Sequence, residues 1–247
     1  QNQNLAPKVH QIWLVLRTSL AGFSSNLRFV LLQLFLKELT LELRRKAVIS
    51  GLALYLFSTA FICYLSFSLK QNQITPLVWS ALFWVTILFS VINTVAKSFI
   101  GEKKGREIYY YSIASPAAIL LSKMLYNFLL ITILTFVGWV LFVLLLNNPL
   151  ADHTLFGVTL LLAALGFSSS LTMLSALAAK ANHSNILMAV LSFPVVISVL
   201  LIAIKVTKNC IDGLDRSVSY PELLTLLAIN CLVAAASYLL FPYIWRS

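Results

Sequence analysis

Six stretches of this chain, residues 47–69, 74–96, 117–146, 154–179, 185–204 and 221–245, run for about twenty residues or more, and none carries more than one charged side chain. An α-helix rises about 1.5 Å per residue and the hydrocarbon core of a bilayer is about 30 Å thick, so each stretch is long enough to cross it. Backbone groups find no water inside lipid, which leaves helices or a closed barrel as the only spanning structures. Continuous apolarity without a period-two alternation excludes the barrel. The expected fold is therefore an all-α membrane protein with six transmembrane helices.

Composition agrees. The chain is 60% hydrophobic and 11% charged, with mean hydropathy +0.91, whereas soluble domains carry about 25% charged residues. A net charge of +10 would suggest a nucleic-acid partner in a soluble protein. Here the bases sit at the ends of apolar runs and form no contiguous phosphate-tracking face, so no nucleic acid is expected.

The bases also orient the chain. The segment 97–123 is a polar island between two spans, with Lys97, Lys103, Lys104, Arg106 and Lys123 beside Glu102 and Glu107. Lys and Arg crowd the cytoplasmic side of membrane proteins, which places this loop inside. Lys37, Arg44, Arg45, Lys46, Lys180 and Arg246 fall on the same side, against Lys70, Lys205, Lys208 and Arg216 on the other. Both termini are expected in the cytoplasm. The last outer loop, 205–220, holds Asp212 and Asp215 beside three bases and reads as a small folded cap with room for a re-entrant piece.

Before the first span, Leu32, Phe35, Leu36, Leu39 and Leu43 recur at helical spacing, with Lys37, Glu38, Glu42, Arg44 and Arg45 mostly off that face. This predicts an amphipathic helix over 31–46 lying in the membrane interface. Arg44, Arg45 and Lys46 stop it at the headgroups. Lys123, near the inner end of the third span, is expected to snorkel outward as a further membrane anchor. Residues 1–30, which open at Gln1, carry scattered bases and stay unassigned. Pro194 should kink the fifth span, and Ser168–Ser170 with Ala176–Ala179 supply small residues for close helix approach in the fourth.

Several chemistries are missing. There is no phosphate-binding G-x-x-x-x-G-K-[ST] loop, no HExxH and no clustered Cys and His, so an enzyme with its own nucleotide or metal site is not expected. The spans hold no mid-depth Asp, Glu or His, which argues against an ion-coupled carrier. Three cysteines suggest no disulfide, Cys63 and Cys231 lying in spans and Cys210 in a loop. His10, His153 and His183 are isolated, and His153 is a weak candidate for an axial haem ligand. Trp79, Trp84, Trp139 and Trp245 read as interfacial belt residues.

Three pieces carry a family resemblance: 35–46 (FLKELTLELRRK), the loop with Gly105 and Glu107 followed by Ser115-Pro116 and Leu121-Ser-Lys123, and Lys180 leading to Leu191-Ser-Phe-Pro194. Over residues 32–246 the chain resembles the haem exporter protein B (CcmB) family of cytochrome c maturation. The resemblance implies an ABC-2 exporter-like permease of the bacterial inner membrane that dimerises. It implies a CcmA-like soluble ATPase on the cytoplasmic face, CcmC-like and CcmD-like membrane partners, and a CcmE-like haem chaperone outside. Haem would be transported or partner-held cargo, with no cofactor tightly bound by this chain. A permease without a nucleotide site needs a partner to drive it, and Glu102, Arg106, Glu107, Tyr109 and Tyr110 are the expected ATPase-coupling residues. A permease for another lipid-like or polysaccharide substrate, or a non-transport membrane scaffold, would share this layout.

Overall fold

A computed structural model describes residues 31–40, 46–68, 74–95, 115–179 and 184–246, and every regular element among them is helical. The helices are α1 (31–40), α2 (Lys46–Ser68), α3 (Pro76–Val95), α4 (Pro116–Leu146), α5 (His153–Ala179), α6 (Ser184–Asp212) and α7 (Arg216–Arg246). Five of them, α2, α3, α4, α5 and α7, are long and apolar enough to cross a membrane. The sixth long helix, α6, measures roughly 43 Å at 1.5 Å per residue; side chains 184–195 lie outside the described residues.

Local chemistry sets the helix starts. Ser115 adopts an extended backbone and its hydroxyl accepts from the Ala118 amide at 3.3 Å, with Pro116 in the first turn where no amide hydrogen is needed. Asp152 caps α5 by accepting from the amides of Thr154 (3.0 Å) and Leu155 (3.1 Å). The α6–α7 turn spans only 213–215, and Gly213 (φ +67°) takes the left-handed conformation that ends α6. The expected outer cap over 205–220 is thus mostly continuous helix. Helices have no reason to stop at the hydrocarbon edge when both ends can be satisfied in the headgroup layer and beyond. α6 also runs without a break through Pro194.

Contacts between helix ends establish the weave. The amides of Ala151 and Asp152, at the α4–α5 turn, donate to the carbonyl of Cys210 near the end of α6, so the α4–α5 and α6–α7 turns share one end of the bundle. At the other end Ile119 and Leu120 of α4, Ala176 of α5 and Phe241 of α7 form a small core of their own, with Leu34 of α1 packed on it. The two ends of the described chain therefore lie at the same end of the bundle. In α3, Trp79 meets Phe142 and Trp84 meets Thr207, both toward the opposite end.

α5 is the axle. In the apolar window of α5 78% of the residues are buried, against 11% and 17% in those of α2 and α7. Its small residues allow this: a Cβ on Gly166 would lie 2.6 Å from Asn230 Oδ1 of α7 and 3.1 and 3.2 Å from the methyls of Val199 of α6. Small-residue contacts of this kind hold helices together in lipid, where apolar burial drives nothing. Polar side chains cross the same seams. Trp84 Nε1 donates to Thr207 Oγ1 (2.8 Å), Asn127 Nδ2 to Thr172 Oγ1 (2.7 Å), Ser168 Oγ to the Met124 carbonyl (2.6 Å) and Asn230 Nδ2 to the Leu162 carbonyl (2.8 Å).

Two expectations about aromatic and cysteine side chains are corrected. Trp79 and Trp84 do not form an interfacial belt; both are fully buried, in a cluster where Trp79 stacks on Phe83 and Phe83 meets Trp84, Phe142 and Phe156. Cys210 is in no loop but inside α6, buried, and all three cysteines are free.

Candidate functional site

The polar chemistry of the bundle gathers at its two ends. At the end shared by α1, α4 and α7, Lys123 sits two turns into α4. Sequence alone sends its ammonium outward to lipid, but the residue is 2% exposed and Nζ lies 3.4 Å from Glu38 Oε1 of α1, with Lys37 Nζ 2.9 Å from the same oxygen. Burial works against the charged carboxylate, yet Lys123 and Lys37 outweigh it and hold Glu38 below the usual carboxylate range. This pairing sets which side of α1 meets the bundle. Leu32 and Leu36 of the apolar stripe face outward, while Leu34 and Glu38, one turn apart, face the bundle.

At the opposite end Arg216, the first residue of α7, reaches Asp152 with two hydrogen bonds, Nε to Oδ2 at 2.6 Å and Nη2 to Oδ1 at 3.1 Å. Since Asp152 also caps α5, one carboxylate ties two helix starts together. Its pKa is depressed, first by the Arg216 hydrogen bond and then by the Leu155 amide. Lys208 pairs with Asp212, and Lys205 bridges α6 to Glu222 of α7 at 2.6 Å. Asp152 and Arg216 line an open polar basin of about 790 Å³ together with His153, Thr154 and the other residues of 213–217.

His153 lines this basin and also an apolar slot of about 420 Å³ beside Phe136, Trp139, Phe156 and Leu160. The Leu150 amide donates to Asn148 Oδ1 (3.2 Å), which turns the Asn148 amide nitrogen toward His153 Nε2 at 2.9 Å. That nitrogen can only donate, so Nε2 accepts and the ring proton sits on Nδ1. Among the described residues no three His, Cys, Asp or Glu come together in a metal-binding group.

Glu102, Arg106, Glu107, Tyr109 and Tyr110, with Arg44 and Arg45, lie outside the described residues, as does the side chain of Lys46. Sequence reading passed over Glu38, Asp152 and Arg216 as site residues. Asp152 was recoverable, since an Asp immediately before an apolar helical run is a cap signal. The partner of a buried lysine eighty-five positions away leaves no such mark.

Comparison with protein families gives a match to the model of the CcmB protein over residues 29–241. The chain belongs to the CcmB family. Comparison with curated proteins and with solved structures gave no match. The family is a membrane component of the haem export system of cytochrome c maturation, a permease subunit without catalysis of its own. The apolar helices, five of them long enough to span, agree with a multi-pass membrane protein. Their match runs from the start of α1 through Phe241, so both polar clusters fall inside the family's extent.

Proposed function

We propose that this chain is the six-span, ABC-2 exporter-like permease of a haem-delivery complex in the bacterial inner membrane, with both termini cytoplasmic. It works as a homodimer and carries the motion of a CcmA-like ATPase to haem transfer, or to release of a loaded CcmE-like chaperone outside, alongside CcmC-like and CcmD-like proteins. The observation that carries the reading is the family match over 29–241 on a bundle whose first and last described helices meet at one end. The excess of Lys and Arg in 97–123 supports that end as the cytoplasmic one. Haem is cargo, and the chain alone holds no tightly ligated haem, since its long apolar spans offer no mid-depth histidine.

The experiment is co-purification in mild detergent with the ATPase, combined with the triple variant Glu107→Ala, Tyr109→Ala, Tyr110→Ala. The triple variant keeps every base of the loop, so reporters at Asn148 and Asp212 should still be active only outside. ATPase recruitment or ATP-driven cytochrome c maturation should be lost. Unchanged recruitment and maturation would remove the loop from the coupling path, and a wild-type chain that never captures an ATPase would remove the permease reading itself.

A further inference from the structure

Interfacial helices usually present an apolar stripe to the rest of the protein or to lipid and keep their charges in water. α1 does the reverse at one position. It turns Glu38 into the bundle to meet Lys123 and leaves Leu32 and Leu36 outside. Around that pair α1 packs on α4 through Leu34 and borders a groove of α2 and α4 through Leu39. Leu34 packs on the small core of Ile119, Leu120, Ala176 and Phe241, and Leu39 lines an apolar groove with Tyr126, Leu129 and Leu130. That small core is separate from the main core of the bundle. The inner end is thus a distinct packing unit, made of α1 and the ends of α4, α5 and α7.

A buried ion pair is a poor way to gain stability, because desolvating both charges cancels most of their attraction. Its strength is directional: it fixes register and orientation. Lys123 stands two turns beyond Pro116, where the chain enters α4 from the 97–114 loop. A displacement of that loop enters the membrane through the first turns of α4, and Lys123 is the first charged side chain of that helix.

We infer that the Lys123–Glu38 pair is the joint by which α4 carries α1 with it when the cytoplasmic loop moves, so that both are positioning residues for coupling. The inference rests on the permease reading above. Lys123 transmits the shift as an oriented charge contact, while Leu34 and Leu39 on either side keep α1 from pivoting about it.

The test uses the intact complex with its ATPase. Lys123→Met and Glu38→Leu should each insert, recruit the ATPase and leave its hydrolysis rate unchanged, while cytochrome c matured per ATP falls about tenfold, within the usual range for coupling between sites. The charge swap Lys123→Glu with Glu38→Lys should restore output. The apolar double variant Lys123→Met with Glu38→Leu removes the charge contact between the two helices and should stay low. Full output from that apolar double variant would show that the pair only fills space and would overturn the inference. If the swapped chain fails to accumulate, Lys123→Arg decides: it must keep output where Lys123→Met loses it, and equal output from the two overturns the joint. Failure of the wild-type chain to recruit any ATPase would instead strike the permease reading, a result these variants do not mimic.

Discussion

Replacing three helical glycines by alanine, one at a time, should give three different signs, because the space beside them differs. Alanine favours a helix over glycine by about 1 kcal/mol wherever the methyl meets nothing. At Gly157 nothing lies within 4 Å of the new Cβ, so Gly157→Ala should gain up to about 1 kcal/mol. At Gly138 the methyl would stand 2.6 Å from Ile87 Cδ1, the free end of a side chain that can rotate, and a cost of about 1 kcal/mol cancels the propensity gain. Gly166 has no such escape. Its methyl meets Asn230 Oδ1 at 2.6 Å and both Val199 methyls at 3.1 and 3.2 Å. The valine is β-branched and stiff, and the amide is held by its 2.8 Å bond to the Leu162 carbonyl. Overpacking of about 1–3 kcal/mol and a lost hydrogen bond of about 1, less the propensity gain of about 1, leave a net loss of about 1–3 kcal/mol. Thermal unfolding in detergent, followed by tryptophan fluorescence, should show Gly166→Ala lower in Tm by about 3–10 °C, Gly138→Ala near wild type and Gly157→Ala at or above it. Adding Asn230→Ala to Gly166→Ala should cost about 1 kcal/mol less than the sum of the two single changes, since the collision is gone. A Gly166→Ala chain as stable as Gly157→Ala would refute the close three-helix approach.

Asp152→Asn should weaken the tie between the α5 cap and Arg216, exposing the 147–152 turn to faster amide exchange. Because the folded pKa of Asp152 is depressed, its contribution is present above the unfolded pKa of about 3.9 and is lost as pH falls below that value toward the folded pKa. Wild type should show this acid-side loss of exchange protection and Asp152→Asn should not, and identical pH profiles would contradict the assignment. Trp84→Phe keeps the ring packing against Phe83 and Phe167 but removes the donor to Thr207. The expected destabilisation is about 1 kcal/mol, largely abolished in a Thr207→Val background, as a double-mutant cycle would measure.

The long helices were legible in the sequence because crossing hydrocarbon needs a length of apolar residues and nothing subtler. Their faces were not. In water the buried side of a helix is the apolar one, but in lipid both sides are apolar, so Trp79 and Trp84 look the same whether they face headgroups or the core of the bundle. The same blindness misplaced Lys123, since a lysine near a helix end reads as an anchor unless its acid partner is known, and Glu38 sits in an element whose stripe suggested the opposite orientation. Around the α6–α7 turn, charges that read as a small folded cap are helix ends, with Lys205 of α6 paired to Glu222 of α7. Asp152 alone announced itself locally, as a cap.

The burial of α5 has a consequence for how the protein is made. A chain emerges amino end first, so α5 enters the membrane before α6 and α7, the helices that later cover much of it, exist. Its run Ser168-Ser-Ser170 must then meet lipid with whatever acceptors are already there. Ser169 folds back onto the Gly166 carbonyl and Ser168 reaches the Met124 carbonyl of α4, a neighbour already synthesised. The nascent hairpin of α4 and α5 can thus satisfy the hydroxyls of Ser168 and Ser169 without its later neighbours. What it lacks at that stage is any cover for Gly166, whose open notch remains a vacancy that only the carboxy-terminal third of the chain can close.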